Sequence, residues 1–333
     1  MKQIIAASIA LLLLLFLPPW LRQPETENDD TASSPSPAPV SQPAEQAVGS
    51  DAAHTLRLWD GSTVRTMTAT EYLPGVVRGE MPAAFEEEAL KAQAVAERTY
   101  LYYRLSAGSK GTHPDADVCT NPGCCTAWLS EAEAKEKWGE KFTSYEAKVQ
   151  QAVTETDGQV VLYDGAPIMA VFHSSSAGAT AASGDVWAAE LPYLVSVKSP
   201  ESSDSVPNYY SVNTFTAEEF RTVFQKAHPD AQLSGSGDSW IGAVARTDSG
   251  RVATVVIGGV TVTGKELRSL YSLRSSAFTV EAGGGSVTFR VTGYGHGVGM
   301  SQYGANELAK EGKTWQEILQ WYYTGVTIGL YNG

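Results

Sequence analysis

The stretch VVRGEMPAAFEEEALKAQAVAERTYLYYRL, residues 76–105, sets how the rest of the chain is read. Gly79-Glu80-Met81-Pro82 reads as a sharp turn. Pro82 biases Met81 to an extended conformation and cannot sit inside a helix, so one long helix is expected from about Ala84 onward. The residues that follow are good helix formers. Leu90, Ala94, Leu101 and Leu105 share one narrow sector, and Ala89, Ala92, Ala96 and Tyr103 fill another. A helix apolar on two sides is packed from both directions, and its alanines let neighbours come close. Glu80 is then held at the entrance of a rigid element, where catalytic groups are best placed.

Outward from this stretch, residues 54–59 and 63–68 read as a hairpin around Asp60-Gly61. Thr68 and Glu71 have capping-box spacing and open a short helix with Tyr72 and Leu73, interrupted at Pro74. Residues 106–128 are a Gly/Pro/Asp-rich loop containing all three cysteines. Helices are expected over 130–138 and 144–156. A second hairpin, 159–163 with 168–173, turns at Asp164-Gly165 and ends in the small-residue loop His173-Ser174-Ser175-Ser176-Ala177-Gly178. Residues 199–250 alternate loop and helix. The clearest helix, 216–227, is capped by Thr216 with Glu219 three residues on. A hairpin (241–246, 252–256), a helix (265–271) and two strands (277–281, 286–292) lead into GYGHGVGMSQYG, residues 293–304. Helices over 301–310 and 314–323 close the chain. Strands and helices are interspersed without a βαβ rhythm, so the fold class is α+β in two lobes around the central long helix.

Composition bounds the partners. The chain has 333 residues, 43% of them hydrophobic, enough for one large core or two modest ones. With 24 basic against 37 acidic residues the net charge is -13, and no long basic run exists. Nucleic acid and anionic lipid surfaces are therefore poor partners, because phosphate binding needs clustered Lys and Arg. Residues 4–17 are apolar apart from Ser8, and Pro18-Pro19-Trp20-Leu21 extend the stretch to Arg22. Residues 1–22 thus read as an N-terminal membrane anchor with Trp20 and Arg22 at the interface, the competing reading being a cleaved signal peptide. Against cleavage, no small-x-small site is nearby. Either way the following residues leave the cytoplasm. Residues 23–50, rich in Pro, Ser, Ala, Thr and acids, cannot offset the entropy of ordering and read as a disordered tether. Folding is expected to begin near His54, in a domain spanning 51–333.

The cysteine loop has the pattern His113-x5-Cys119-x4-Cys124-Cys125. An odd cysteine count outside the cytoplasm fits a simple disulfide framework poorly, and adjacent cysteines bond each other only under strain. Four soft ligands within thirteen residues suit a closed tetrahedral Zn²⁺ site. A Cys119–Cys125 disulfide with Cys124 free is the alternative. Residues 293–304 lack dinucleotide-fingerprint spacing, and no G-x-S-x-G elbow supports a serine triad. Glycines let a backbone approach a ligand closely, and His, Ser, Gln and Tyr suit sugar hydroxyls. Hence His173, Ser174, Ser175, His296, Ser301, Gln302 and Tyr303 are candidate substrate-binding residues on two loops facing Glu80. Lys91, Gln93 and Arg98 are candidates from the helix itself. The bland readings are a Lys91–Glu87 pair on a solvated face, an Arg98 pair with a buried acid, and a Glu80 that only caps the helix.

The chain resembles the stage II sporulation protein D family, the membrane-anchored peptidoglycan lytic transglycosylases of engulfing sporulating cells. The matching pieces are Glu71-Tyr72-Leu73, Gly79-Glu80-Met81-Pro82, residues 88–96 and Arg98-Thr99-Tyr100, with both loops above. Glu97 departs from the pattern, where a small residue is more usual. Its place opposite the Leu90 stripe suggests that it faces solvent or the cleft. The resemblance implies Glu80 as the single general acid/base, and a structural zinc site in the cysteine loop, often with His where Cys124 stands. It also implies an extracytoplasmic domain at the mother-cell engulfing membrane that acts on glycan strands beside other wall hydrolases such as an amidase. Cleavage between N-acetylmuramic acid and N-acetylglucosamine would leave 1,6-anhydro-muramic ends. A second reading is a non-catalytic glycan-binding enhancer of a cell-wall amidase, since such enhancers resemble the same domain. A third is a zinc-stapled scaffold.

Overall fold

The structure, a computed structural model, describes residues 50–108, 113 and 115–331. The expected anchor and all of the tether but Ser50 lie outside these residues. Among the described residues, no helix is long and apolar enough to cross a membrane. The described residues are structured already ahead of the expected start. The Ser50 side chain caps a short 3-10 turn, Asp51–Ala53. The Asp51 carboxylate is 2% exposed and accepts from Arg98 Nε and Nη2 at 2.6 and 2.7 Å and from the Tyr102 hydroxyl at 3.1 Å.

The hairpin Thr55–Trp59 with Val64–Thr68 is antiparallel as expected. Thr68 then opens a helix through the predicted capping box. This helix does not stop at Pro74. It runs Ala69–Glu80 with the proline inside it. Carbonyls beside the break have outside donors: the Trp128 indole gives to Tyr72 O (3.2 Å) and Leu129 N to Gly75 O (2.9 Å). The loop supplying them lies hard against the helix, since a Cβ on Gly75 would fall 2.1 Å from Trp128 Nε1. The long helix is Glu87–Ala107, starting three residues later than the composition suggests. It packs on the helices Ala69–Glu80, Phe142–Glu155, Gln302–Lys310 and Trp315–Tyr322 and on the strand Gln159–Tyr163. It is the central element, covered on both apolar sides.

Two hydrophobic cores form within one compact unit. The first surrounds the long helix. The second is aromatic: Phe220 stacks on Tyr271 at 4.8 Å and also meets Trp240 and Phe289. It lies among two three-stranded sheets, Phe278–Gly283/Ser286–Thr292/Tyr210–Thr216 and Val260–Thr263/Val252–Ile257/Ile241–Arg246. The architecture is mixed α+β with two cores.

The second predicted hairpin is only half right. Asp164 (φ 49°) and Gly165 (φ 79°) both turn left-handed, as a two-residue hairpin turn requires, but pairing stops at Pro167. Phe172–His173 leaves that ladder and pairs in parallel with Met300–Ser301. Two further bridges, Ser175 with Tyr294 and Ala181 with Val298, join the same chain regions. This pairing brings the two polar loops to one wall.

Candidate active site

Glu80 is the last residue of the helix Ala69–Glu80, not a turn residue at the N-terminal entrance of the long helix as the sequence implied. The difference changes the electrostatics. A carboxylate at a helix C-terminus meets the negative end of the dipole, which favours the protonated form. Burial adds to this and raises the Glu80 pKa above the ordinary carboxyl value, while the Ala127 N–H, donating to Oε1 at 2.5 Å, pulls it partly back. The Gln302 side chain donates to the Glu80 backbone carbonyl at 3.0 Å and so satisfies one of the open carbonyls at that helix end.

Glu80 opens into a cavity of about 440 Å³ whose walls include His173, Ser174, Gly295, His296 and Gln302. Loops far apart in sequence thus meet the acid, as expected of them. Among the described residues Glu80 is the single carboxyl lining this space. Glu97 faces neither solvent nor the cavity. It is 1% exposed and accepts from Gln93 Nε2 at 3.0 Å. Burial, then the nearby Glu80 charge, push its pKa well above the ordinary carboxyl value, which favours the protonated form.

Both cavity histidines are neutral and largely committed. His173 Nδ1 donates to the Val298 carbonyl (3.2 Å), so Nε2 accepts the Ser176 hydroxyl (2.8 Å). His296 Nδ1 accepts from Val298 N at 3.1 Å. Burial drives both pKa values down, that of His296 to about 4. These rings hold the two loops in register. Glycine permits the close approach: a Cβ on Gly299 (φ 72°) would lie 2.0 Å from the Val171 carbonyl, and one on Gly295 (φ 113°) 2.8 Å from His173 Cβ.

Other predicted residues lie elsewhere. Lys91 does not reach the cavity or pair with Glu87. It bridges Glu88 at 2.9 Å and Glu155 at 2.7 Å. Gln93 is wholly buried against Glu97, and Arg98 is wholly buried on Asp51. Ser301 caps the helix Gln302–Lys310, and its hydroxyl donates to Glu201 at 2.5 Å, while Ser175 is buried behind the wall. Tyr303 packs edge-on against Phe85. Sequence reasoning missed Tyr100, Arg268 and Tyr294 as cavity walls. It also missed Glu201, which accepts from Ser176 N (2.5 Å) and Ser301 and so ties the two loops together from beneath. An isolated acid in a loop of no periodicity carries no signal of that role.

Beside the cavity, Cys119, Cys124 and Cys125 have sulfurs all within 4.8 Å of one another, with no disulfide formed. Cys124 and Cys125 Sγ are 3.9 Å apart, close to the sulfur separation of about 3.8 Å that tetrahedral bonds of about 2.3 Å demand. His113 lines the same small void and stacks on Trp59, but it is not in the tight sulfur group. Burial and neighbouring thiols push Cys125 up to about 12, a penalty that a bound cation would remove. The donor set fits a soft divalent metal.

These features define a class: an α+β protein with a one-carboxyl cavity between paired loops and a cysteine cluster alongside. Known proteins fill in its relatives. The Stage II sporulation protein family model matches residues 60–163, which hold the second strand of the first hairpin, Glu80, the long helix and the cysteines. Stage II sporulation protein D of Bacillus subtilis (strain 168) is 37% identical over 337 residues, covering 98% of this chain and 96% of its own length. The Bacillus amyloliquefaciens protein of that name is 38% identical across 80% of this chain and 75% of its own length. An amidase enhancer of Bacillus subtilis (strain 168) is 30% identical across 78% of this chain and 40% of its own length. The chain belongs to the stage II sporulation protein D family.

Proposed function

We propose that this protein is a lytic transglycosylase that cleaves peptidoglycan glycan strands between N-acetylmuramic acid and N-acetylglucosamine during engulfment. The observation that carries the reading is the single carboxyl of Glu80 in the cavity. Ordinary retaining or inverting hydrolysis uses two flanking carboxylates. One acid suffices when the sugar supplies its own nucleophile. Protonated Glu80 gives its proton to the glycosidic oxygen as that bond to the anomeric carbon breaks. The 6-hydroxyl of the muramic residue then bonds to the anomeric carbon, and Glu80 takes the hydroxyl proton. The acid is regenerated and a 1,6-anhydro ring forms. Burial and the helix C-terminus favour the protonated form that the first step needs, and the Ala127 N–H steadies the anion between steps.

In the same reading zinc is structural, bound by Cys119, Cys124 and Cys125 with His113 as the fourth ligand, and it fixes the loop that carries Ala127. Residues 1–22 anchor the domain outside the cytoplasmic membrane, beside a wall amidase. The relative named as an amidase enhancer supports that partnership and also a second reading, a glycan-binding module without chemistry. Mass spectrometry of purified glycan strands after incubation with the full chain separates the two. Anhydro-muramic ends are expected from the wild type and none from Glu80→Gln, whereas intact strands in both arms would refute the transglycosylase.

A further inference from the structure

Arg268 stands where three hollows meet. It lines the main cavity with Glu80 and His296, a neighbouring hollow of about 170 Å³ with Trp187 and Asp185, and a shallower one of about 470 Å³ with Arg274 and Tyr294. Both arginines are half-buried. The Arg274 guanidinium lies 4.3 Å over the Tyr294 ring, and its buried Nε has no hydrogen-bond partner. Among the described residues no carboxylate lies within ion-pair distance of either arginine, although the chain carries a net charge of -13. The nearest acid across the smaller hollow, Asp185, is engaged electrostatically with Arg251. Two partly desolvated cations left without an acid in an acidic protein are costly, and a planar guanidinium is the side chain best suited to grip a carboxylate through two bonds.

We propose that Arg268, supported by Arg274, is a carboxylate subsite of the groove, receiving the acid borne on the lactyl arm of the muramic residue whose bond Glu80 protonates. This rests on the glycan-cleaving reading of the cavity. Muramic acid differs from its neighbour sugar in that arm, so an arginine there sets which sugar occupies the site beside Glu80. The carboxylate has two sources. It is the lactyl acid itself where no peptide is attached, or a carboxylate of the attached peptide.

The test uses the full chain, with strands bearing free lactyl acids, the same strands converted to methylamides, and strands bearing peptides. Turnover is read as kcat/KM, and affinity is read as Kd on the Glu80→Gln background. Wild type should favour one carboxylate-bearing strand over the methylamide. Arg268→Gln should erase that preference by losing about tenfold to a hundredfold on the charged strand alone, the range for a charge-assisted hydrogen bond. Arg268→Lys should recover part of it. Preference for free-acid strands identifies the lactyl source, and preference for peptide-bearing strands the other. Equal losses on charged and methylamide strands, or no wild-type preference, would overturn the subsite. If nothing is cleaved while the Kd preference persists, the subsite stands and the transglycosylase reading falls.

Discussion

Glu80→Gln should separate chemistry from structure, because the two roles open to this residue predict opposite effects on stability. The amide keeps the shape of the carboxyl and keeps Oε1 as an acceptor for Ala127 N–H, so the loop contact survives. It cannot donate and retake a proton. General acid/base catalysis is worth roughly 10²–10⁴ in rate, equivalent to about 2.7–5.4 kcal/mol of barrier, and with one carboxyl in the cavity no neighbour replaces it. Stability should move the other way. The folded-state pKa of Glu80 is raised by burial, so its ionised form is disfavoured in the fold. The sign follows from linkage. A raised carboxyl destabilises the fold progressively as pH rises from the unfolded value towards the folded one, and the cost stays in full above it. Gln removes that cost. It also removes the charge that presses on buried Glu97.

Thermal unfolding of both proteins from pH 4 to pH 8 should therefore give Tm curves that nearly meet at the acid end, with the variant above wild type at the alkaline end. Turnover on glycan strands should be lost across the whole range. A variant that is active would remove Glu80 from the chemistry. A variant less stable than wild type at pH 8 would show that the carboxylate is a favourable helix-end partner and that the raised pKa is wrong.

Three more perturbations test the scaffold. Purified protein should carry about one zinc per chain by elemental analysis, and Cys125→Ser or chelation should lower Tm while leaving a measurable Glu80-dependent cleavage; a metal-free protein lighter by two hydrogens would point to a disulfide instead. Gly299→Ala should destabilise by at least about 2 kcal/mol in denaturant unfolding, since its Cβ would meet a Val171 carbonyl already accepting from Met300 N and Tyr323 Oη, and its left-handed φ adds strain; a neutral result would mean that the wall is loose. Asp51→Asn leaves Arg98 buried without its counter-charge and should cost about 3–5 kcal/mol, with kcat per folded molecule unchanged; a loss of turnover at full stability would return Arg98 to the site.

What could be read from the sequence was whatever a local rule governs. The central helix follows from its spacing, the hairpin turn at Asp164-Gly165 from residues that tolerate positive φ, and two of the helix starts from reciprocal Thr-Glu caps. Pro74 misled because the helix around it is held from outside, by Trp128 fifty-four residues on, whose indole donates to the Tyr72 carbonyl. The site assignments of Gln93 and Arg98 failed for a related reason, although for Arg98 the alternative of a pair with a buried acid held. A polar residue on a helix reads as solvent- or ligand-facing, and nothing near it in sequence shows that Asp51 or Glu97 waits inside. The two polar loops could be assigned to a cleft from composition, but not the parallel pairing of Phe172–His173 with Met300–Ser301 that joins them.

That pairing explains how a wall made of loops can position one acid well enough for it to act alone. Residues 172–176 and 293–302 have little regular structure, yet three devices fix them to each other and a fourth ties them to Glu80. The short parallel ladder sets their register, and the His173–Val298 bond locks one ring between them. Glu201 accepts from both Ser176 N and Ser301 Oγ, and Gln302 reaches across to the carbonyl of Glu80 itself. Each bond is buried or partly buried, where losing one partner strands the other and costs the full desolvation of that group. The wall therefore moves as a unit with the end of the Glu80 helix. A substrate held against the wall is held against the acid, which is what a mechanism with one protein carboxyl and a nucleophile from the sugar requires.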